Sequence, residues 1–359
     1  MTNDAPAETP VLFDERGQLA LITLNRPRAI NALTIDMVRL VAAKLDEWES
    51  NDAIATVAIT GAGERGLCAG GDITLLHGVA LSGNLAGAAE FWREEYRLNA
   101  RIAAYAKPVV ALMDGITMGG GIGISAHASH RVVTERSKLA MPEVGIGFVP
   151  DVGGTWLLSR APGHLGTHLA LTGGTFGAAD AIAVGLADSF IEAERLPKLL
   201  DALESTDASA ALARVATEAD VSGLLSRRPW IDTAYATDSV AEVIANLRGT
   251  GDEDAAAAAS VIESKSPTAL TVTLESLRRA GSLASLEEAL AVELRVSLRS
   301  IQQPDFLEGV RAQVIDKDRN PKWNPATLAE VDAAVVAAHF RPLTPTESPA
   351  GELFESRTA

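Results

Sequence analysis

Apolar and polar positions change period several times along the first half of the chain, and these changes predict strands and helices in turn. Apolar runs at 11–13 and 19–24 flank a polar, turn-rich insert, which predicts a β-hairpin. Thr34 can cap a helix because the apolar residues after it recur at helical spacing: Met37, Leu40, Val41, Leu45 and Trp48. Further blocks predict a strand at 54–59, a helix at 94–104, a strand at 109–113, a helix from Gly120 and a strand at 131–134. Such alternation is typical of an α/β fold.

The second half of the chain has a different pattern. Beyond about residue 193 it consists of alanine-rich and leucine-rich amphipathic segments, such as 199–203, 240–247 and 270–280, without a strand pattern. We therefore expect an N-terminal arm at 1–10, an α/β core at 11–195, a mainly helical region at 196–340 and a mobile tail at 341–359.

Composition limits the choice of partners. The chain has 359 residues, of which 47% are hydrophobic, which is enough for one large or two moderate domains. Lys and Arg number 31 against 47 Asp and Glu, and the net charge of -16 repels polyanions. Nucleic acid and anionic membranes are therefore not expected as partners. A phosphorylated small molecule can still bind through a few local basic side chains and backbone N–H groups.

Compartment and membrane topology follow from a few local features. The single cysteine, Cys68, cannot form an internal disulfide, which favours a reducing compartment. The first residues have neither the basic nor the apolar region of a signal peptide, so we expect a cytoplasmic protein. The apolar stretch at 109–128 contains four glycines and Asp114, and it fits a buried strand and helix better than a membrane span.

Two acids stand out from their surroundings. Glu143 and Asp151 lie in a stretch otherwise made of apolar residues, glycine and proline. Glycine clusters at 70–71 and 119–121 each follow a predicted strand, where glycine leaves backbone N–H groups uncovered. Two such groups can form an oxyanion hole, so the combination indicates acyl chemistry at a carbonyl.

Each of these features has a structural alternative. The glycines could serve tight packing alone, and the acids could be a solvated pair or partners of Arg131 and Arg136. Glu94 and Glu95 are predicted from the residues alone to be surface charges of a helix.

Other candidate motifs are weak. The glycines at 61–66 match a dinucleotide fingerprint, but no helix pattern follows them. Ser125 lacks the glycine that a nucleophile elbow requires two places on, and Cys68 is most simply a small packed residue. The six histidines show no metal-ligand spacing, so we expect neither a metal nor a separate cofactor.

Several motifs together resemble the crotonase (enoyl-CoA hydratase/isomerase) superfamily over about residues 11–325. They are Asn25-Arg26-Pro27 with Asn31-Ala32-Leu33, Cys68-Ala69-Gly70-Gly71-Asp72 and Gly119-Gly120-Gly121. Its hydrolase branch is indicated by further motifs, namely Arg93-Glu94-Glu95-Tyr96-Arg97-Leu98-Asn99, Met141-Pro142-Glu143, Pro150-Asp151-Val152-Gly153-Gly154, Glu308-Gly309-Val310-Arg311-Ala312 and Ile315-Asp316-Lys317-Asp318.

The resemblance implies a fold and a set of roles. The fold is a spiral of β-β-α turns with strands in two nearly perpendicular sheets, followed by a helical region. The N–H groups of Gly71 and Gly120 would hold a thioester oxygen, and Glu143 would keep one of the two acids of the hydratases. Gly123 stands where hydratases carry the other glutamate, and Asp151 stands where the hydrolase branch carries an aspartate.

The implied activity is hydrolysis of a short branched 3-hydroxyacyl-CoA, with 3-hydroxyisobutyryl-CoA as the expected substrate in valine breakdown. CoA is then part of the substrate, Glu95 lines the acyl end, and Asp72 is a further binding candidate. Ala69 would offer a backbone contact to the adenine and Arg28 a contact to a phosphate. The alternatives are a hydratase or isomerase with altered acids and a silent acyl-CoA binder. A homo-oligomer is possible, and Glu143 could act as nucleophile or as general base.

Overall fold

The strands of the described residues form one sheet of six strands and one sheet of two. The structure, a computed structural model, describes residues 9–345, 347, 351, 353 and 354. The strands are β1 (Val11–Arg16), β2 (Leu19–Leu24), β3 (Thr56–Gly61), β4 (Val109–Met113), β5 (Ile116–Met118), β6 (His130–Val133), β7 (Lys138–Ala140) and β8 (Ser189–Phe190). The strand order is β1-β2-β3-β4-β6-β8 in the larger sheet and β5-β7 in the smaller one. Pairing is antiparallel in the β1–β2 hairpin and parallel between the other neighbours.

Helices cover the sheets and make up the second half. They are α1 (Ile35–Glu49), α2 (Ile73–Ser82), α3 (Leu85–Ala103), α4 (Gly120–Ser125), α5 (Gly154–Leu158), α6 (Leu165–Thr172), α7 (Ala178–Ala183), α8 (Leu196–Leu203), α9 (Ala208–Val215), α10 (Gly223–Ala234), α11 (Val240–Gly249), α12 (Glu253–Glu263), α13 (Pro267–Ala280), α14 (Leu286–Ser300), α15 (Pro304–Val310) and α16 (Ala333–His339). Short 3-10 segments lie at Pro27–Ala29, Glu143–Ile146, Ala193–Arg195 and Leu328–Glu330, and a π-helical segment at Arg311–Ile315. The predicted α/β order, the second sheet and the helical second half are confirmed.

Helix α1 shows how the local sequence sets an element. The Thr34 side chain accepts a hydrogen bond from the Met37 N–H and caps the helix, as predicted. Met37, Val41, Leu45 and Trp48 are fully buried against the sheet. Leu40 was expected on the same face but is 39% exposed, because the helical period turns it toward the rim.

The stretch between β3 and β4 differs from its prediction. The sequence predicts a helix only from about Glu94, whereas α2 and α3 together span most of 73–103. Gly83 adopts a left-handed conformation that ends α2, and the Asn84 side chain accepts from the Gly87 N–H to start α3. A helix end followed at once by a cap interrupts the apolar period, which explains why the sequence predicts no helix before Glu94.

The helical second half packs against the core through close backbone contacts. A Cβ atom at Gly309 on α15 would stand 2.6 Å from the Cα atom of Ile146, so only glycine fits there. Helix α8 begins at Leu196, at the predicted boundary, with Pro197 in its first turn. Among the residues that the structure describes, none of the helices is both long and apolar enough to cross a membrane.

Most of the predicted arm and part of the predicted tail lie outside the described residues. In the described part of the tail, Leu353 is buried in the main core cluster and Phe354 packs against that cluster. The Arg299 guanidinium donates to the carbonyl oxygens of Arg341 and Pro342 at the start of the tail.

Candidate active site

Two glycine turns meet at the carboxyl ends of the strands. Gly71 follows β3 in a loop held by hydrogen bonds to Leu33 on either side of it, and Gly120 is the first residue of α4 after β5. A Cβ atom at Gly120 would stand 3.1 Å from the backbone nitrogen of Gly71. Within the described residues neither glycine N–H donates to another backbone group. The two amides are therefore neighbours and available to a ligand oxygen.

The turns require glycine for conformational reasons as well. Gly70 has φ 112° and Gly119 has φ 49° with ψ -120°, both in regions that L side chains rarely adopt. A Cβ atom at Gly120 would also crowd the site, because it would stand 2.6 Å from Oε1 of Glu95 and 3.1 Å from the backbone nitrogen of Gly71. The glycines thus let the backbone and an acidic side chain approach the same point.

Glu143 lies beside the Gly119–Gly120 turn. It is the first residue of the 3-10 segment Glu143–Ile146, only 6% exposed, and its Oε1 would stand 3.0 Å from a Cβ atom at Gly119. Its Oε2 has no hydrogen-bond partner among the described residues. Burial raises the pKa of Glu143 well above its usual range, and the charges of Asp151 and Glu293 add to that shift.

Asp151 is 5% exposed and is held by a hydroxyl chain from two helices. The Tyr96 hydroxyl of α3 donates to Asp151 Oδ2 at 2.7 Å and lies 2.9 Å from the Ser297 hydroxyl of α14. Burial raises the pKa of Asp151 to about 7, although the bond from Tyr96 favours the ionised form and opposes the shift.

Glu95 is the third acid of the site, and the prediction that it is a surface charge is wrong. It is 2% exposed, and its Oε1 has no hydrogen-bond partner among the described residues. Burial raises the pKa of Glu95 well above its usual range, and Asp151 adds to the effect. The available sequence signal was the helical spacing of Glu95 with the apolar Phe91 and Trp92, which places a carboxyl group on the buried face of α3.

One cavity of about 370 Å³ brings these groups together. Its lining includes the candidates Ala69, Gly71, Glu95, Gly120, Glu143 and Asp151. Lys265, in the loop between α12 and α13, is the one basic residue of that lining and is half-buried. Burial lowers the pKa of Lys265. Lys265 is not among the residues predicted from the sequence, since nothing in its local pattern distinguishes it from a surface lysine.

The position of the second hydratase acid is closed by packing. A Cβ atom at Gly123 would stand 2.6 Å from Cβ of Val152 and 3.0 Å from Nδ2 of Asn99. Asn99 is fully buried on α3, one turn after Glu95. No side chain at position 123 could reach the cavity without displacing these neighbours.

The remaining predicted residues have mixed placements. Asp72 lies outside the cavity lining and pairs with Arg26 at 3.0 Å. Arg28 is exposed on the 3-10 segment Pro27–Ala29 and is not part of the lining. Ala69 does line the cavity, but its N–H already donates to the Ile30 carbonyl oxygen at 2.9 Å. The binding roles of all three residues stay predictions.

The structural alternatives for the acids are not observed. Arg131 pairs with Asp188 and Arg136 pairs with Asp114, so neither neutralises Glu143 or Asp151.

The side chains considered for nucleophilic chemistry have other partners. The Ser125 hydroxyl donates to the Gly121 carbonyl oxygen at 2.6 Å, and His127 Nε2 contacts the Val152 carbonyl oxygen at 2.8 Å. Burial raises the pKa of the Cys68 thiol to about 12, as expected for an unreactive packed cysteine.

Two uncovered glycine amides beside a buried acid, on a mixed α/β core, are the arrangement that the crotonase resemblance implies. The chain belongs to the enoyl-CoA hydratase/isomerase family, whose model matches residues 19–340. The family resemblance of the sequence motifs is thereby confirmed.

The chain is similar over nearly its whole length to curated proteins and to solved structures that carry different enzyme names. The chain is 41% identical to "3-hydroxyisobutyryl-CoA hydrolase, mitochondrial" of Danio rerio, over 94% of this chain and 91% of that protein. The human protein of the same name is 40% identical, over 96% and 91%. A solved structure of a carnitinyl-CoA dehydratase from Mycobacterium thermoresistibile has a TM-score of 0.92 and 50% identity, covering 97% of this chain and 99% of that one. An enoyl-CoA hydratase structure from Rhodobacter sphaeroides 2.4.1 has a TM-score of 0.89 and 44% identity, covering 96% and 100%.

Proposed function

We propose that the protein hydrolyses the thioester of a short branched 3-hydroxyacyl-CoA, with 3-hydroxyisobutyryl-CoA as the favoured substrate. The observation that carries the proposal is the buried Glu143 beside the paired amides of Gly71 and Gly120, at a site that has no acid at position 123. The same chemistry is supported by the curated relatives named as hydrolases, which are 40% and 41% identical to this chain over nearly its whole length.

The first step is polarisation of the thioester carbonyl. Its oxygen accepts hydrogen bonds from the N–H groups of Gly71 and Gly120, which stabilise the negative charge that develops as the carbonyl carbon becomes tetrahedral. Loss of one donor of this kind typically lowers turnover about 10² to 10³-fold. The rate of turnover should therefore depend on the geometry of the two glycine turns as much as on the acid.

Glu143 then acts in its ionised form, the form that its raised pKa makes less abundant. The carboxylate either attacks the carbonyl carbon or removes a proton from an attacking water. In both routes a C–O bond forms, the carbonyl π electrons move to oxygen, and the C–S bond breaks when the carbonyl re-forms. CoA leaves as a thiolate, which is a good leaving group because an ordinary thiol has a pKa of about 8.5. After direct attack, water adds to the mixed anhydride and gives up a proton to Asp151 or solvent, which frees the Glu143 carboxylate. In the water route the proton held by Glu143 passes to the CoA thiolate or to solvent.

The other two acids act on the acyl end and on protons. Asp151 holds the substrate hydroxyl or transfers a proton of the attacking water. Burial raises the pKa of Glu95, which favours the protonated form that can donate a hydrogen bond to the same hydroxyl. Hydrogen bonds from two acids to a 3-hydroxyl group favour binding of hydroxyacyl chains over simple acyl chains.

The CoA end is assigned to the residues around Ala69 and Lys265. The Ala69 N–H is already bonded, so its carbonyl oxygen is the group that would accept from the adenine amino group. Lys265 supplies positive charge to a cavity that also contains three carboxyl groups. Arg28 is retained as a phosphate contact from the exposed rim.

A lyase is the second candidate, because two similar solved structures are named as a dehydratase and a hydratase. Addition of water across a double bond uses two acids in the hydratases of this superfamily, and Gly123 takes the place of one of them. Val152 and Asn99 fill the space that a glutamate side chain at position 123 would need. Hydrolysis is therefore favoured over hydration.

A hydrolase of this specificity would act in valine breakdown, and we retain the cytoplasm as its location, although the curated relatives are named as mitochondrial enzymes. A homo-oligomer and the lack of a separate cofactor also stay predictions.

Two assays test the proposal. Release of free CoA from 3-hydroxyisobutyryl-CoA, followed with a thiol reagent, reports hydrolysis, and loss of enoyl absorbance from crotonyl-CoA reports hydration. We expect the first reaction to dominate. Binding without turnover across a panel of acyl-CoAs would instead identify a silent binder.

The variant Glu143→Gln tests the central acid. It should abolish CoA release while acyl-CoA binding stays measurable by calorimetry, because the amide keeps the shape of the side chain but is neither nucleophile nor base. Full turnover in this variant would remove Glu143 from the mechanism.

A further inference from the structure

Glu293 is a buried acid outside the cavity lining that contacts the turn after Asp151. It lies on α14 in the helical second half and is 2% exposed. Its Oε2 accepts from the Gly153 N–H at 2.6 Å, and its Oε1 accepts from the Thr155 N–H at 3.0 Å and from the Thr155 hydroxyl. One carboxyl group thus satisfies three donors of the segment that follows Asp151.

The segment needs such support because its backbone is unusual. Val152 has φ 53° and Gly153 has φ 79°, so two successive residues adopt the left-handed region. For a β-branched residue such as Val152 this conformation is unfavourable and persists only where surrounding contacts enforce it. His127 Nε2 contacts the Val152 carbonyl oxygen from one side, and Glu293 holds the next residues from the other.

The same face of α14 also reaches Asp151 by a second route. Ser297 lies one helical turn after Glu293, and its hydroxyl is 2.9 Å from the Tyr96 hydroxyl that donates to Asp151. The backbone and the side chain of the Asp151 segment are therefore both held from α14.

We propose that Glu293 is a positioning residue, which fixes the turn at 152–155 and thereby aims the Asp151 carboxyl group into the cavity. This inference rests on the proposed hydrolysis for its kinetic consequences, but its structural part does not. It gives the helical second half a direct role in completing the site.

The test compares Glu293→Gln with Asp180→Asn. The glutamine has the same shape, but its NH2 group must face a donor, so at least one of the three hydrogen bonds is lost. Asp180 is the matched control because it also accepts from a hydroxyl and a backbone N–H, those of Ser222 and Leu224, away from the cavity. A loss of fold stability common to both variants is thereby separated from an effect on the site.

Kinetics give the first readout. Because Glu293 does not line the cavity, we expect Glu293→Gln to lower kcat by about 10 to 100-fold with KM changed less than about twofold. Asp180→Asn should keep the wild-type kcat. Wild-type kcat in folded Glu293→Gln, or an equal loss of kcat in both variants, would overturn the proposal.

Amide hydrogen exchange gives a readout that does not need turnover. The N–H groups of Gly153 and Thr155 should exchange faster in Glu293→Gln and at the wild-type rate in Asp180→Asn. If the wild type releases no CoA, the proposed function fails while this readout still decides the role of Glu293: faster exchange supports it and unchanged exchange overturns it.

A second variant is available if Glu293→Gln does not fold. Thr155→Val removes the hydroxyl bond to Glu293 and keeps both backbone N–H bonds. Lower kcat at unchanged KM then supports the proposal, and wild-type kcat contradicts it.

Discussion

The Tyr96 hydroxyl donates a 2.7 Å hydrogen bond to the Asp151 carboxyl group, although the two residues are 55 positions apart in the chain. Tyr96 is fully buried on α3, next to Glu95, and Asp151 lies in the loop before α5. One helix therefore supplies both an acid of the cavity and the group that holds another acid in place.

Removing this hydroxyl should change both turnover and its pH dependence. In Tyr96→Phe the pKa of Asp151 should rise above its value of about 7, because the bond from Tyr96 stabilises the ionised form. We expect kcat to fall about tenfold, as for loss of a hydrogen bond to a charged group. The acid limb of the kcat/KM profile should move to higher pH. Ser297→Ala, which keeps the Tyr96 bond to Asp151, should have a smaller effect. An unchanged pH profile in Tyr96→Phe would show that Tyr96 does not influence the reaction.

Glu95 should lower the stability of the fold at neutral and higher pH. Its pKa in the folded protein is raised by burial, so below the unfolded value of about 4.3 both states hold the proton and stability is unaffected. As the pH rises above that value, the unfolded state ionises more readily and the folded state loses stability. Glu95→Gln should therefore raise Tm near pH 8 and change it much less near pH 4. Glu94→Gln, at the half-buried neighbouring position, is the control, and a lower Tm for Glu95→Gln near pH 8 would contradict the prediction.

Packing around Gly123 should prevent conversion to a hydratase by a single substitution. A Cβ atom there would stand 2.6 Å from Cβ of Val152, so Gly123→Ala should lower the free energy of unfolding by about 1 to 3 kcal/mol in urea denaturation. Gly78→Ala on α2 is the matched control, since no atom beyond its chain neighbours and its own helix backbone lies within 4 Å of the added methyl group. Gly123→Glu should show no hydration of crotonyl-CoA. Hydratase activity in a stable Gly123→Glu protein would refute this account.

Lys265 should contribute to binding rather than to turnover. Lys265→Ala removes the basic residue of the cavity lining, and we expect KM for the acyl-CoA to rise by up to about tenfold with little change in kcat. The salt dependence of kcat/KM should weaken in the variant. Lys198→Ala, an exposed lysine on α8, controls for the change in net charge. Equal effects of the two substitutions would argue against a specific contact.

Features that depend on the local order of residues can be predicted from the amino-acid sequence. Period, caps and turns predicted the hairpin of β1 and β2, helix α1 and strand β4, because each of these is set by neighbouring residues. The two glycine clusters and the acids Glu143 and Asp151 were also identified from sequence, since glycine and buried acids are conspicuous in apolar surroundings. The family resemblance added Glu95 and the choice between hydrolysis and hydration.

The side chains that hold these groups in place are identified by the three-dimensional fold and not by local sequence. Tyr96, Glu293 and Lys265 approach the site from three elements distant in sequence, and their local patterns resemble ordinary helix or loop residues. Burial, which raises the pKa of Glu95 and Glu143, likewise depends on the helices packed around them. Contacts between distant segments form when the chain folds around its core, so their geometry cannot be derived from periodicity along a single stretch of residues.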